Sequence, residues 1–207
     1  LNMAITIDGS SGIASVDGSA GSPSIRGDDS NSGIYYGTDI IYMSTGGTQR
    51  AVIDNNGLSS AGHILQVLQA YKTDQSTLSS TSMADIPSLS IAITPTSSSN
   101  KILVIANVYA SCSDAGVLGL MRDSTVIGAG AGGDANNSGF AMVRFSATNL
   151  GSTFSVSYLD SPSTTSATTY KVRGRPTEGS ANLFINRRAS SDGYRLTSSI
   201  TVMEVAG

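Results

Sequence analysis

One stretch, residues 21–57, constrains the fold most, because it is patterned as β-structure yet holds too few apolar side chains to bury a core of its own. It reads GSPSIRGDDSNSGIYYGTDIIYMSTGGTQRAVIDNNG, and its Gly- and Asn-rich turn signals separate short alternating runs at residues 35–44 and 50–54. This pattern predicts β-hairpins. Because an isolated hairpin is only marginally stable in water, we expect identical copies of the chain to close these sheets around a common axis.

The composition indicates an all-β, turn-dense protein. Among 207 residues there are 23 Gly and no Trp, and signals for helix ends are sparse. A change in composition near residue 62 predicts two parts, a slender shaft and neck at residues 1–62 and a compact head at residues 63–207. The longest apolar run, residues 102–106, is far too short to span a bilayer, so no membrane insertion is expected.

Residues 1–20 contain a strand-plus-turn unit twice, with an apolar pair at Ile5 and Ile7 and another at Ile13 and Val16. This doubling predicts a short repetitive shaft in which each unit buries its apolar face against neighbouring copies. Disorder is the alternative, because segments rich in Gly, Ser and Asp often fail to repay the entropy lost on ordering.

The pattern of the second part predicts an antiparallel β-sandwich. Residues 64–74 fit a helix or a strand, and their Thr-rich continuation favours a strand. Further strands, with turn signals between them, are expected at residues 89–94, 101–110, 117–123, 126–131, 140–148, 154–159, 170–174, 182–187 and 196–205. This spacing is typical of a sandwich, and we expect a jelly-roll topology with contact-bearing loops at residues 128–139 and 160–169.

Two groups of motifs resemble the tail fibres of tailed bacteriophages. The first resembles a shaft element and comprises PSI (23–25), GDD (27–29), SGIYY (32–36), STGG (44–47), Arg50 and IDNNG (53–57). The second resembles the globular head in which such fibres often end, and comprises SIAITP (90–95), SSSNKILV (97–104), MRDST (121–125), YLDSP (158–162), TTSATTY (164–170) and SITVME (199–204). The order and spacing of the motifs, rather than any one of them, carry the resemblance.

This resemblance implies a homotrimer at the tip of a phage tail fibre in the virion. Its short trimeric β-shaft would join other phage tail proteins on the N-terminal side, and its jelly-roll-like head would bind a polysaccharide or lipopolysaccharide of the host cell surface. Three heads on one stalk would add weak sugar contacts into useful avidity. The net charge of −3 gives no general attraction for nucleic acid. Two alternatives stay open, a tailspike-like polysaccharide depolymerase and a purely structural fibre connector.

Cationic residues in the second half are the candidate receptor-binding groups. Period two places Lys171, Arg173 and Arg175 on one face of a strand. Guanidinium groups of Arg187, Arg188 and Arg195 follow, and they suit the phosphates and carboxylates of envelope polysaccharides. The alternative is a solvated outer face that makes ion pairs between subunits.

Tyrosine rings are possible platforms for stacking sugars. The candidates are Tyr35, Tyr36, Tyr109, Tyr158, Tyr170 and Tyr194. Most are expected in the core. Tyr194, within a polar loop, is the one expected to be exposed.

The residues give little support for catalysis. The single histidine, His63, lies in the neck, away from any nucleophile motif. Asp28 and Asp29 are adjacent, so on a strand they would point to opposite faces and in a turn they would cap backbone amides. No calcium-loop spacing occurs, and the single cysteine, Cys112, is expected to be a small buried hydrophobic residue. We therefore expect that the protein is not an enzyme and that it binds no cofactor and no metal.

Overall fold

The computed structural model describes residues 17–55, 57–131, 136–190 and 193–207. In these ranges every strand pair is antiparallel and no helix is present, which confirms the all-β class. The described residues accordingly hold no helix with the length and apolar character to cross a membrane. The chain divides into two compact units, Leu1–His63 and Ile64–Gly207.

The first unit contains a hairpin and a five-stranded meander. Its strands are β1 (Gly18–Ser19), β2 (Ser22–Pro23), β3 (Ile25–Arg26), β4 (Gly33–Gly37), β5 (Ile40–Thr45), β6 (Thr48–Asp54) and β7 (Gly57–Ser59). Strands β1 and β2 pair with each other, and β3 to β7 pair in chain order. The meander follows from the turn signals, because each short run returns directly beside its predecessor.

The second unit is a β-sandwich of two sheets. Its strands are β8 (Ile64–Lys72), β9 (Ser76–Leu78), β10 (Ala84–Ile93), β11 (Lys101–Cys112), β12 (Ala115–Arg122), β13 (Thr125–Ile127), β14 (Ala141–Arg144), β15 (Ser152–Asp160), β16 (Thr168–Pro176), β17 (Leu183–Ile185) and β18 (Ser198–Val205). Sheet I has the order β10-β16-β12, with β13 and β14 both beside β12. Sheet II has β15 on one side of β11, and on the other side β17 and β18 followed by β9 and β8.

The strand order is that of a jelly roll. Strands β17 and β18 both lie beside β11, strands β8 and β9 lie beyond them, and strands β13 and β14 both lie beside β12. If each of these three pairs counts as one position in its sheet, the eleven strands occupy eight positions. Numbered in chain order, the positions across sheet II are one, eight, three and six, and those across sheet I are two, seven, four and five. This interleaving of two four-position sheets confirms the expected topology.

The core lies between sheets I and II, where the inward-facing residues of each strand meet. On β11 every second residue is fully buried, as strand periodicity requires. The fully buried apolar side chains include Leu89, Ile93, Ile102, Val104, Val108, Leu118, Leu120, Tyr170, Val172, Leu183, Ile185, Ile200 and Val202. Cys112 is only 2% exposed and belongs to this core, as expected.

A polar cluster joins the two sheets at one end. The carboxylate of Asp160, at the end of β15, accepts hydrogen bonds from Nη1 of Arg122 at 2.9 and 2.8 Å and from the hydroxyl of Tyr170 at 2.7 Å. Burial, together with the hydrogen bond to Asp160, raises the pKa of Tyr170. The two partners of Asp160 come from sheet I, so this cluster fixes the spacing of the sheets.

Several predicted boundaries were wrong. Residues 35–44 form a hairpin rather than one run, because Asp39 adopts a φ of 60° and the chain turns there. The strands expected at residues 126–131 and 140–148 are short, and the former ends where Gly128 has a φ of 59°. Residues 64–74 begin with a strand, as favoured. The repeat predicted at residues 1–20 falls almost wholly outside the described residues.

Candidate functional site

One face of the first-unit sheet is apolar and, among the described residues, largely exposed. The strand register aligns Ile25, Ile34, Met43 and Ala51 in one cross-strand row and Tyr36, Ile41, Ile53 and Leu58 in the next. We call these eight residues the first-unit face. Leu58 is 51% exposed and Ile25 42%, although directly paired apolar residues share the face. Such a continuous exposed apolar surface is typical of a surface that another molecule covers.

On the opposite face of the same sheet, side chains of the first unit pack against one another. Tyr35 is 8% exposed and stacks on Tyr42, with ring centroids 4.6 Å apart. The Tyr35 hydroxyl bonds Oε1 of Gln49 at 3.0 Å. The two faces of this sheet therefore differ among the described residues: large apolar side chains are exposed on the first-unit face, whereas Tyr35 is buried on the opposite face.

Sheet II carries a second apolar surface on its outer side, and its edge residues are exposed among the described residues. The register aligns Val67, Met203, Leu103 and Leu159 in a row that crosses all four positions of the sheet. We call the outer side of sheet II the open face. Val67 is 54% exposed and Leu159 50%, at its two edges, while Leu103 and Met203 are half-buried. Ile64, Val205 and Ile105 flank the row.

Sheet II directs two of its charged side chains inward. Glu204 is fully buried, and its carboxylate accepts hydrogen bonds from the Thr96 amide at 2.6 Å, from Asn100 Nδ2 at 2.6 Å and from Gln66 Nε2 at 2.6 Å. Burial raises the pKa of Glu204, but these hydrogen bonds outweigh it and hold the pKa below its ordinary value. Lys72 is also fully buried and pairs with Asp74 at 2.8 Å.

The outer side of sheet I carries the predicted basic run. Lys171 and Arg173 both make ion pairs with Asp85, at 2.8 and 3.0 Å, and Arg173 also donates to the Met83 carbonyl. The prediction that period two puts these cations on one face agrees with the register of β16 against β10 and β12. Their charges are engaged within the chain.

Arg175 is buried rather than exposed. It is 8% exposed, its Nε donates to the Asn136 carbonyl at 2.7 Å, and its Nη2 donates to Oδ1 of Asn137 at 2.6 Å. Its Nη1 donates to the Pro176 carbonyl at 2.9 Å. This guanidinium therefore anchors the loop between β13 and β14 to sheet I, and a surface ligand cannot reach it without displacing those contacts.

The remaining candidates lie in the connection between β17 and β18 of the other sheet. The guanidinium of Arg188 lies 3.8 Å from the centroid of the Tyr194 ring, and that of Arg187 lies 4.7 Å from the Phe184 ring. Tyr194 is 52% exposed, as expected, and Arg195 is exposed. The predicted residues thus form two groups on different sheets, and the group at residues 187–195 is the more accessible.

Two features of these surfaces escaped the sequence reasoning. Tyr71, on the open face, is 58% exposed and exceeds Tyr194, yet it was not among the candidate platforms. The open face itself had a signal, because residues 102–106 are apolar at both parities, and a strand apolar on both sides is typical of one covered on both sides.

Asp29 and Cys112, two of the groups considered for catalysis, occupy structural positions in a turn and in the core. Asp29 lies in a turn and accepts a hydrogen bond from the Asn31 amide at 3.2 Å, which is the capping role considered for it. Among the described residues, no three His, Cys, Asp or Glu side chains come together as a metal site. Burial raises the pKa of the Cys112 thiol, which disfavours the nucleophilic thiolate.

Comparisons with known proteins leave the family open. No protein-family model matches the chain, and no curated protein sequence matches it significantly. A solved structure of the infectious bursal disease virus Gx strain aligns with 86% of this chain at 11% sequence identity and a TM-score of 0.32. The alignment spans 50% of that viral chain. This similarity is too low to carry an argument.

Proposed function

We propose that the chain is the distal part of a phage tail fibre, a homotrimer that attaches to a glycan on the host cell surface. The first-unit face is the observation that carries this proposal, because five of its eight aligned side chains stay 36–51% exposed among the described residues: Ile25, Ile41, Met43, Ile53 and Leu58. Identical copies around an axis would cover it and remove the exposed sheet edges. The copy number of three and the phage assignment rest on the resemblance of the shaft and head motifs.

The group at residues 187–195 supports attachment better than the basic run on β16. The exposed ring of Tyr194 can stack on the apolar face of a sugar, and the guanidinium of Arg188 can bind a phosphate or carboxylate of an acidic glycan. Lys171 and Arg173, by contrast, are already paired with Asp85. We therefore place the receptor contact at the loop between β17 and β18.

The fibre connector is the second candidate, and the internal engagement of the predicted cations favours it. Arg175 holds a loop, and Arg188 also donates from Nη1 to the Asn149 carbonyl at 3.2 Å. A head whose cations serve mainly its own loops would need no receptor.

Mass measurement and cell adsorption distinguish these candidates. Light scattering of the full chain should give three copies. The double substitution Arg188→Ala and Tyr194→Ala should weaken adsorption to a panel of Gram-negative cells, and to their purified lipopolysaccharides, by about tenfold or more, because contacts repeated in three heads multiply. The matched control is Arg144→Ala, which removes an exposed arginine from sheet I.

Each result decides between the candidates. A single-copy protein would overturn the fibre proposal as a whole. A three-copy protein that adsorbs to none of the cells would favour the connector. Equal adsorption of the double variant and the control would move the receptor contact away from residues 187–195.

A further inference from the structure

We infer that a second copy of this chain packs on the open face of sheet II, so that the head as well as the shaft is held together by self-association. This inference rests on the proposed function, since it names a further surface of the same assembly. Its centre is the row Val67, Met203, Leu103 and Leu159, which crosses the sheet without interruption.

The chemistry of the open face fits an identical partner. Lys101 is the one charged side chain at the described strand positions on the outer side of sheet II, and at the β17 end the guanidinium of Arg187 lies 4.7 Å from the ring of Phe184. The polar side chains beside the row bond to one another: Gln69 donates to Thr201 at 2.8 Å, and Ser155 to Asn107 at 2.7 Å. The face therefore presents apolar surface and satisfied neutral groups, and interface cores between identical subunits have this depletion of charge.

The size of the open face approaches what a stable interface requires. Four strand positions about 4.8 Å apart and about seven residues at about 3.3 Å each give roughly 450 Å² in projection. Side chains that stand out from the sheet make the accessible surface larger. A stable interface buries about 800 Å² per partner, so the open face could supply a large part of one.

The two sheets of the head differ in a way that points to the same partner. On sheet I, Val117 and Met121 occupy outer positions but are 7% and 6% exposed, because residues of the same chain cover them. Nothing in the described chain covers Val67 or Leu159 to that extent. A symmetric assembly of identical copies would cover such an exposed apolar face.

Cysteine labelling of the intact protein tests this inference. Cys112 is the sole native cysteine, it is 2% exposed, and it should react slowly. Two single substitutions on the open face, Leu159→Cys and Val67→Cys, are compared with Met142→Cys on sheet I. Met142 is 64% exposed, so all three thiols would be accessible in one isolated chain. In the native assembly both open-face thiols should react with a maleimide at least about tenfold more slowly than the control.

The labelling is read beside the mass of the unmodified protein. Slow reaction at both open-face positions of a multi-copy protein supports the inference. Fast reaction at either position of a multi-copy protein overturns it and leaves the proposed fibre intact. A single-copy protein overturns both. Protection that arises only when lipopolysaccharide is added would assign the open face to a glycan, and that result also overturns packing by a second copy.

Discussion

The two outer faces of the sandwich use charge in opposite ways. Sheet I carries Lys171, Arg173 and Asp85 outward, where they pair with one another beside solvent. Sheet II keeps its outer row apolar and directs Glu204 and Lys72 into the interior. The same fold thus gives one face that tolerates water and one that is nearly free of charge.

This difference matters because the cost of a charged side chain depends on whether its face is solvated or covered by a partner. An ion pair on a solvated face costs little and contributes little, whereas a charge beneath a packed partner must be desolvated at considerable cost. Glu204 is itself fully buried, and neutral donors of the loop at residues 96–100 offset the cost of desolvating its carboxylate. The inward charges stabilise loops, and the outward surface remains free for association.

The largest expected effect comes from removing the inward charge of sheet II. Glu204→Leu leaves the Thr96 amide, Asn100 and Gln66 without their acceptor, so the free energy of unfolding should fall by about 3–5 kcal/mol. The control on the same strand is Thr201→Val, which breaks an exposed hydrogen bond with Gln69 and should cost about 1 kcal/mol or less. Urea unfolding at fixed protein concentration measures both, and equal losses would contradict the contrast between inward and outward positions.

An intermediate effect is expected on sheet I. Arg175→Met removes the buried guanidinium that holds Asn136 and Asn137, and it should lower the free energy of unfolding by about 2–3 kcal/mol. Lys171 lies four residues before Arg175 on the same side of β16. Lys171→Met breaks a partly exposed ion pair and should lower the free energy of unfolding by about 1 kcal/mol or less. If Lys171→Met proved the more damaging in urea unfolding, sheet I would depend on its ion pairs and the comparison would fail.

The smallest effect is a pH dependence specific to sheet II. Although burial raises the pKa of Glu204, hydrogen bonds lower it below the ordinary 4.5, so Glu204 stabilises the fold above that pH. The contribution is lost as the pH falls through the folded pKa. Glu204→Gln should therefore lose less stability than the unmodified protein between pH 5 and about pH 3.

The control for this pH dependence is Asp74→Asn. The hydrogen bond from Lys72 lowers the pKa of Asp74 as well, but its side chain is 63% exposed. Water screens that interaction, so the acid dependence of Asp74→Asn should stay close to that of the unmodified protein. An equal loss of stability on acidification in all three proteins would show that Glu204 makes no pH-dependent contribution to stability.

The fold was largely predictable because its signals are local. Alternation along strands such as β11 and β16, and turn signals between strands, depend on neighbours in the chain. The break at Asp39 was missed, although Gly37 and Asp39 are both residue types that favour turns and interrupt the apolar run. For the candidate site, the period of two correctly put Lys171, Arg173 and Arg175 on one face. It could not predict that these cations are already paired within the chain, because partners such as Asp85 and Asn136 are distant in sequence.

By itself the sequence determined the class of the protein: an all-β chain of two parts with a jelly-roll-like second part. Only the tertiary structure decided which surfaces remain uncovered and which charges are already paired. Strand periodicity assigns a residue to one of two sides, but burial depends on what other segments place against that side. Lys171 and Val67 both alternate as outward residues, and only packing distinguishes a paired cation from an exposed apolar row.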